Sequence, residues 1–233
     1  MVPIDPPALA ADLARQGYAR LPLLNPAECH DLAALYGQEA PFRSRVVMQR
    51  HGYGSGEYKY LTYPLPGLVA DLRTALYPPL AAIANDWAVQ LGEARRYPDE
   101  LAAYLDQCHQ AGQTKPTPLL LRYGGGDYNC LHQDLYGDLV FPLQLVVLLS
   151  EPGTDFTGGE FLLVEQRPRR QSRGEAITLA QGEGLIFPVH QRPVQGTRGV
   201  YRAALRHGVS TVRPGTRPVC VRQTLGVIFH DAA

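Results

Sequence analysis

Residues 129–138, NCLHQDLYGD, place His132 and Asp134 two positions apart among apolar neighbours. In a β-strand, residues i and i+2 point to the same face of the sheet, so these two side chains would share a face. A buried carboxylate is costly unless something compensates its charge. A metal cation bound by both groups would remove that cost. The alternative is a core histidine followed by an aspartate in the turn at YGD.

A second histidine would complete a site of two histidines and one carboxylate, which leaves coordination positions open and is typical of non-haem iron(II) oxygenases. Two candidates lie downstream, His190 in FPVHQRP and His207 in LRHGVSTV. In VYRAALRHGV, the alternation of side chains places His207 on the apolar, inward face of a strand. His190 ends a strand close to Pro193, where a loop begins. The pattern favours His207 and leaves His190 as the alternative.

Arg222 and Thr224 stand at the start of the last predicted strand, RQTLGVIF, on the same face. If an oxygenase of this kind used a keto acid as co-substrate, the carboxylate of the keto acid that faces away from the metal would need a buried cation. Arginine is the best bidentate partner for a carboxylate. The Thr224 hydroxyl can add a hydrogen bond. Arg217 is the alternative, but Pro218 follows it, and proline is poorly tolerated in a central strand.

The first half of the chain has helical patterns and one hairpin. Asn25, Pro26 and Glu28 fit the N-cap, N1 and N3 positions of a helix that Gly37 can close. Residues 68–91 have apolar side chains at helical spacing, with a predicted break at Pro78-Pro79 and Trp87 on the core-facing stripe. The other predictions are helices over PPALAADLARQG and PDELAAYLDQCHQAG, a strand at YARLPLL, and a glycine-rich hairpin over FRSRVVMQRHGYGSGEYKYLTY.

From about residue 116 the pattern changes to short apolar runs between turn residues, which is typical of β-sandwiches and jelly rolls. The runs predict about eight strands: PLLLRY, NCLHQDL, FPLQLVVLLS, GGEFLLVEQR, EAITLAQ, GLIFPV, GVYRAALRHGVSTV and RQTLGVIFHD. The predicted fold class is mainly β with N-terminal helices (α+β). We expect residues 1–233 to form a single domain, in which a helical wrap with a hairpin (1–115) surrounds a β core (116–233).

The composition excludes a strong overall attraction to polyanions, because the 22 basic and 22 acidic residues give a formal net charge of +0. One segment differs: residues 161–222 hold eleven arginines, three glutamates and no lysine or aspartate, a formal +8. This segment predicts either a solvated basic face or a surface for a polyanion. The four cysteines form no CxxC pair, and the start MVPIDPPALAADL has no signal-peptide pattern. We therefore expect a cytoplasmic protein without a membrane span.

Several of these segments resemble the 2-oxoglutarate/Fe(II) dioxygenase superfamily, particularly its prolyl-4-hydroxylase-like branch. RYGGGDYNCLHQD (122–134) is similar to that branch's tyrosine, glycines and HxD, and TGGEF (157–161) to its GGE turn. HGVSTVRPGTR (207–217) is similar to its H-x-V-x-x-V-x-x-G-x-R, and RQTLGVIFHD (222–231) to its final strand. By position, Tyr123 resembles the tyrosine that often contacts the co-substrate. The resemblance implies a double-stranded β-helix (jelly roll) core flanked by helices.

The chain departs from the superfamily pattern at two places. The segment 190–205 is longer than is usual before the distal histidine, and PVCV (218–221) separates the two competing arginines, Arg217 and Arg222.

More narrowly, the run from YNCLHQD to TLGVIFHDA resembles a bacterial oxygenase family described as acting on damaged DNA by oxidative dealkylation.

The superfamily resemblance implies a complete set of site residues and cofactors. Iron(II) would be bound by His132, Asp134 and His207, and 2-oxoglutarate by Arg222 and Thr224, with O2 as the other co-substrate. The product would be a hydroxylated carbon, or formaldehyde and a free base where the carbon is an N-methyl group.

The substrate and its binding surface stay open at this point. A nucleic acid would contact the arginine-rich segment 161–222 and stack a flipped base on Tyr128 or Tyr201. A peptide would be covered by the hairpin at residues 50–60 acting as a lid, and a small metabolite is a third class. An inactive jelly-roll module with a closed structural metal site, usually zinc, is the alternative to an enzyme. The oligomeric state is not indicated.

Overall fold

The structure is a computed structural model that describes residues 4–233. It contains four α-helices and fifteen β-strands. The helices are α1 (Pro6–Gln16), α2 (Pro26–Ala34), α3 (Gly67–Gln90) and α4 (Leu101–Gln110). The first-half strands are β1 (Ala19–Pro22), β2 (Phe42–Val47), β3 (Gly54–Ser55) and β4 (Glu57–Leu61). The second-half strands are β5 (Leu119–Tyr123), β6 (Tyr128–His132), β7 (Leu143–Leu148), β8 (Phe156–Gly158), β9 (Phe161–Gln166), β10 (Arg173–Ile177), β11 (Glu183–Pro188), β12 (Gln191–Gly196), β13 (Gly199–Val209), β14 (Val212–Pro214) and β15 (Arg222–Ile228).

The helix ends follow the local sequence signals. The Asn25 side chain accepts a hydrogen bond from the Glu28 N–H while the Glu28 carboxylate accepts one from the Asn25 N–H, which is a complete capping box. Helix α1 ends at Gly17, whose φ of 86° is in the left-handed region that favours glycine. The predicted break at Pro78-Pro79 is wrong, because α3 runs through both prolines. Leu76, Tyr77 and Leu80 on either side are fully buried, so their packing stabilises the helix against the missing N–H groups.

Two antiparallel sheets form the centre of the molecule. The major sheet has seven strands in the order β1-β11-β7-β15-β5-β4-β2. The minor sheet has six, with β10-β9-β13-β6-β3 in order and β12 also paired with β13. From β5 onward the chain passes repeatedly between the two sheets, as in a jelly roll. The mainly β fold with N-terminal helices is thereby confirmed.

The second half has eleven strands rather than the predicted eight. The additional strands are β8, β12 and β14. Strands β8 and β14 have three residues each and pair only with each other, so their sequences carry too few apolar positions for a recognisable alternation. Strand β12 contains Pro193 and is held by its pairing with β13, and an edge strand tolerates a proline.

Apolar side chains form two cores, one on each face of the major sheet. The first lies between that sheet and the helices, and includes Leu72 and Leu76 of α3 packed with Leu145 of β7 and Leu225 of β15. The second lies between the two sheets. Because successive strand residues alternate between faces, the even-numbered positions of β7 and β15 point into the space between the sheets. No helix within residues 4–233 is both long enough and apolar enough to span a membrane.

The glycine-rich hairpin joins the two sheets. Strands β2 and β4 pair with each other, as the sequence predicted, and β4 also pairs with β5, so that the hairpin extends the major sheet. The turn between them contributes β3, which pairs with β6 of the minor sheet. Gly54 and Gly56 have φ values of 125° and 122°, which favour glycine. The hairpin therefore lies beside the strand that carries His132.

We predict that the buried ion pair at the C-terminal end stabilises the fold. Arg73 Nη2 lies 2.8 Å from Asp231 Oδ1, and both side chains are almost completely buried. Asp231→Asn would leave the Arg73 charge buried without its partner and should lower the free energy of unfolding by about 3–5 kcal/mol. Urea denaturation measures this change. Asp12→Asn, which removes an exposed ion pair with Arg15, is the control and should have little effect.

Candidate metal centre and anion pocket

The two histidines lie opposite each other on neighbouring strands of the minor sheet. His132 is the last residue of β6, His207 lies in β13, and the two are register partners. Their ring centroids are 4.2 Å apart. Cross-strand partners on the same face of a sheet lie close enough for their side chains to share a ligand. The pairing of β6 with β13 thus brings together two imidazoles that are 75 positions apart in the sequence.

Asp134 completes the cluster from outside the strand. The prediction that His132 and Asp134 share one strand is wrong, because β6 ends at His132. The carboxylate nevertheless faces the two rings. Asp134 Oδ1 lies 3.5 Å from His132 Nε2, and Oδ2 lies 3.2 Å from His207 Nε2. One potential ligand atom from each of the three residues lies within 4.8 Å of the other two, a spacing that a single cation could bridge.

The ring of His132 is oriented by the backbone. Its Nδ1 lies 2.7 Å from the carbonyl oxygen of Cys130. Since a carbonyl only accepts, Nδ1 carries the proton and Nε2 keeps a free lone pair towards Asp134. A hydrogen bond from the far ring nitrogen is the usual support for a metal-binding histidine.

The protonation states also suit a cation. Burial and the neighbouring His207 lower the pKa of the His132 imidazole below its usual value. Burial opposes ionisation of Asp134, but the hydrogen bond from His207, the electrostatic effect of the nearby imidazoles and the hydrogen bond from the Tyr136 hydroxyl together outweigh it and lower the carboxyl pKa. The cluster at neutral pH therefore contains a carboxylate and a neutral His132, which are the forms that bind divalent metals.

His190 does not belong to this cluster. It lies between β11 and β12, and the His132–Asp134–His207 group does not include it. Its carbonyl accepts a hydrogen bond from the Gln133 side chain, and burial lowers the pKa of its ring. Of the two histidines proposed from the sequence, the structure brings His207 to His132 and Asp134.

Arg222 is a buried cation without a hydrogen-bonded partner. It is 2% exposed, and its Nε and Nη1 have no hydrogen-bond partner within the part of the chain that the structure describes. Its guanidinium carbon lies 5.6 Å from the ring centre of Tyr123 and 5.8 Å from that of Phe156. Burial lowers the pKa of Arg222 to about 10, so the group is still charged at neutral pH. A buried charge of this kind is costly unless an anion compensates it.

The competing arginine lies elsewhere. Arg217 is exposed and forms an ion pair with Asp155 on the surface. Thr224, by contrast, is 2% exposed and is next but one to Arg222 on β15. Tyr123 of β5 is the register partner of Arg222. Arg222, Thr224 and Tyr123 therefore line the same cavity, whereas Arg217 is not among its lining residues.

One cavity of about 400 Å³ contains both groups of residues. The histidines and Asp134 line it from the minor sheet, and Arg222 and Thr224 from the major sheet. Most of the remaining wall is apolar: Leu119, Leu121, Leu145, Val146, Phe161, Phe187, Val209 and Ile228. Gly52 and Tyr53 of the glycine-rich hairpin also line the cavity, and Tyr53 is 50% exposed.

The polar lining residues that the sequence did not point to include Tyr53, Tyr136 and Gln144. Gln144 had a recognisable signal, since it is the one polar side chain within the apolar run FPLQLVVLL. Tyr136 follows Asp134 by two positions and had been interpreted as part of a turn. Tyr201, a suggested stacking residue, packs instead against Gly196 in the β12–β13 hairpin.

The arginine-rich segment is not one continuous basic surface. Arg192 and Arg222 are buried, and Arg192 pairs with Glu165. Four more arginines form exposed or half-buried ion pairs: Arg167, Arg173, Arg202 and Arg217. Five are exposed and form no ion pair within residues 4–233: Arg169, Arg170, Arg198, Arg206 and Arg213. Six of the eleven arginines are therefore buried or paired, and the other five are the exposed cations of this segment.

Comparison with known proteins assigns the family. The model of a family described as oxygenases catalysing oxidative methylation of damaged DNA matches residues 56–232. The chain belongs to this family. An uncharacterised protein of Mycobacterium tuberculosis is 54% identical over 170 residues, which cover 73% of this chain and 71% of the relative. More than half of the aligned residues of this oxygenase family member are therefore identical in that relative.

Solved structures support the fold of this oxygenase. A Pseudomonas putida prolyl-4-hydroxylase superposes with a TM-score of 0.51 at 17% identity, covering 95% of this chain and 96% of the other. An oxidoreductase of the 2OG-Fe(II) oxygenase family from Burkholderia pseudomallei also has a TM-score of 0.51 at 17% identity, covering 99% and 93%. At these identities the likeness shows a shared fold.

We predict that the His132 imidazole is neutral at pH 7 with its proton on Nδ1. An NMR titration of the metal-free protein, observing the ring nitrogens of His132, should show a midpoint below pH 6.5, because burial and His207 disfavour the charged ring. The neutral ring should show the chemical shifts of an Nδ1-protonated tautomer. A midpoint above pH 6.5, or an Nε2 proton, would contradict this description.

Proposed function

We propose that this protein is an iron(II)- and 2-oxoglutarate-dependent oxygenase that hydroxylates a C–H bond. The proposal depends on one observation: a cavity contains a histidine–aspartate–histidine cluster and a buried arginine without a hydrogen-bonded partner. The family match and the shared fold support it. His132, Asp134 and His207 are the proposed metal ligands, and Arg222, Thr224 and Tyr123 the proposed co-substrate residues.

The donor set fits iron(II) in an open site. Two imidazole nitrogens and one carboxylate on one side of a metal leave the remaining positions free for other ligands. A closed structural zinc site would need a fourth protein ligand. Within the described chain, the cluster contains only these three His, Cys, Asp or Glu residues, and a 400 Å³ cavity lies beside it. This arrangement favours a catalytic metal over an inactive metal-binding module.

The anion pocket fits the far carboxylate of a keto acid. Arg222 offers nitrogen donors that have no acceptor, and the Thr224 hydroxyl lies on the same face of β15. Apolar walls around the guanidinium exclude competing water and strengthen its attraction for an anion. A pure binding module has no need for such a group, so Arg222 also argues against the inactive alternative.

The overall reaction balances with the proposed co-substrates. Bound iron(II) would supply the activation of O2 coupled to oxidative decarboxylation of 2-oxoglutarate. One oxygen atom enters the substrate C–H bond as hydroxyl, and the other enters succinate as CO2 leaves. The protein's own residues contribute in two ways: Arg222 and Thr224 bind the co-substrate, and the apolar lining excludes water.

A damaged base in DNA is the substrate class that the family description favours. Hydroxylation of an N-methyl group gives an unstable N–CH2OH, which releases formaldehyde and leaves N–H. The half-exposed ring of Tyr53 at the cavity offers a flat surface on which a flipped base could stack. The five exposed arginines that form no ion pair within residues 4–233, Arg206 and Arg213 among them, are candidates for phosphate contacts.

We predict that Arg222 determines the affinity for 2-oxoglutarate. Arg222→Met should raise the KM for 2-oxoglutarate by at least about 30-fold, because losing a buried, hydrogen-bonded charge partner costs about 2 kcal/mol or more. Steady-state turnover with varied 2-oxoglutarate measures this effect. Arg217→Met is the matched control and should leave the KM unchanged. A larger effect at Arg217 than at Arg222 would show that the anion pocket is wrongly assigned.

We also predict stimulation of 2-oxoglutarate turnover by an N-methylated single-stranded oligonucleotide. Succinate and formaldehyde should appear in equal amounts, since each methyl removal consumes one co-substrate molecule. The same oligonucleotide without the methyl group is the control. Stimulation only by a proline-containing peptide would replace DNA with a protein substrate, and stimulation by neither would leave a small molecule as the substrate class.

A further inference from the structure

Gln144 places a side-chain amide at the proposed metal centre from the opposite sheet. It lies in β7 of the major sheet and is 3% exposed. Its neighbours on the same face of β7, Val146 and Leu148, are aliphatic. A buried amide in an apolar strand costs free energy unless its polar atoms are hydrogen-bonded. The Gln144 amide therefore needs hydrogen-bond partners that offset the cost of burying it.

The amide of Gln144 contacts two of the proposed metal ligands. Its Nε2 donates to Asp134 Oδ2 at 3.0 Å and lies 3.4 Å from His207 Nε2. The nitrogen must face Asp134, because a carboxylate only accepts hydrogen bonds. A cation on His207 would take the lone pair of Nε2, and Asp134 would then be the remaining acceptor for the amide.

Asp134 needs this support because it lies outside the strand. Strand β6 ends at His132, so ladder hydrogen bonds do not fix the backbone at Asp134. Two side chains hold the carboxylate instead: the Tyr136 hydroxyl donates to Oδ1 at 2.8 Å, and Gln144 donates to Oδ2. Because these two donors bind different oxygens, both the position and the rotation of the carboxylate are restricted.

We propose that Gln144 is a positioning residue for the metal centre, which holds the Asp134 carboxylate in the orientation that binds the cation. The inference rests on the proposed function, since it requires a metal on His132, Asp134 and His207. Gln144 acts through Asp134 and leaves the open coordination positions to the co-substrate. It also ties the metal cluster of the minor sheet to the major sheet, where Arg222 lies one strand away on β15.

The test is the affinity of the metal-free protein for Co(II), measured by calorimetry and by the visible d–d bands of the bound ion. Gln144→Met keeps the length of the side chain and removes the donor. We expect the Kd for Co(II) to rise about tenfold to 100-fold, the range observed when a hydrogen bond to a metal ligand is lost, with altered d–d bands. Gln223→Met is the matched control, because Gln223 lies on β15 and bonds to Ala33 O.

A double-mutant cycle separates positioning from a general effect on folding. If Tyr136 and Gln144 hold the same carboxylate, the loss of Co(II) affinity in Tyr136→Phe/Gln144→Met should differ from the sum of the two single losses. Thermal unfolding of each metal-free variant reports any structural contribution. Because Tyr136→Phe tests the same carboxylate, the inference stays testable if one variant folds poorly.

The outcomes distinguish this inference from the proposed function. Wild-type binding of Co(II) with the Met variant equal to it in Kd and spectrum would overturn the role of Gln144 and leave the metal site intact. A lower melting temperature with unchanged Kd would make Gln144 a structural residue only. Absence of Co(II) binding by the wild type would overturn both the metal centre and the inference.

Discussion

The negative charge of Asp134 between the two sheets is the constraint on which the rest of the site depends. A carboxylate in this position is costly unless each oxygen finds a donor or a cation. Tyr136 and Gln144 donate to the two oxygens, and the imidazoles of His132 and His207 lie within 3.5 and 3.2 Å. These groups come from both sheets, so the charge is compensated only when the sheets have assembled.

Each of the two sheets contributes a different group of side chains to the proposed site. The minor sheet supplies the paired imidazoles through the register of β6 with β13. The major sheet supplies a buried positive charge, Arg222, whose Nε and Nη1 have no hydrogen-bond acceptor among residues 4–233. A keto acid has a chelating end and a carboxylate end, and the cavity offers a suitable partner for each. Apolar walls between them strengthen both interactions by lowering the local dielectric.

In the basic segment, folding buries or pairs several of the charges that the sequence places there. The sequence gives +8 over residues 161–222. The fold uses Arg192 to hold Glu165 and the carbonyls at the end of α1, and it turns Arg222 towards the cavity. Arg202 pairs with Glu93, which lies outside the segment. A run of arginines in the sequence therefore does not predict the electrostatic potential of the surface, because an acidic partner such as Glu93 comes from a distant part of the sequence.

Features that depend on local interactions could be predicted from the sequence. The capping box at Asn25, the left-handed end of α1 at Gly17 and the inward face of His207 all follow from neighbours within a few positions. The strand pattern favoured His207 over His190, but the pairing of β6 with β13 is what brings His207 to His132, and the facing of the two sheets is what brings Gln144 to Asp134. These choices depend on strand register and on the facing of two sheets, which join residues separated by up to 75 positions. A local pattern indicates the face of a strand on which a side chain lies, whereas the residue that this side chain contacts depends on how the strands and sheets pack together.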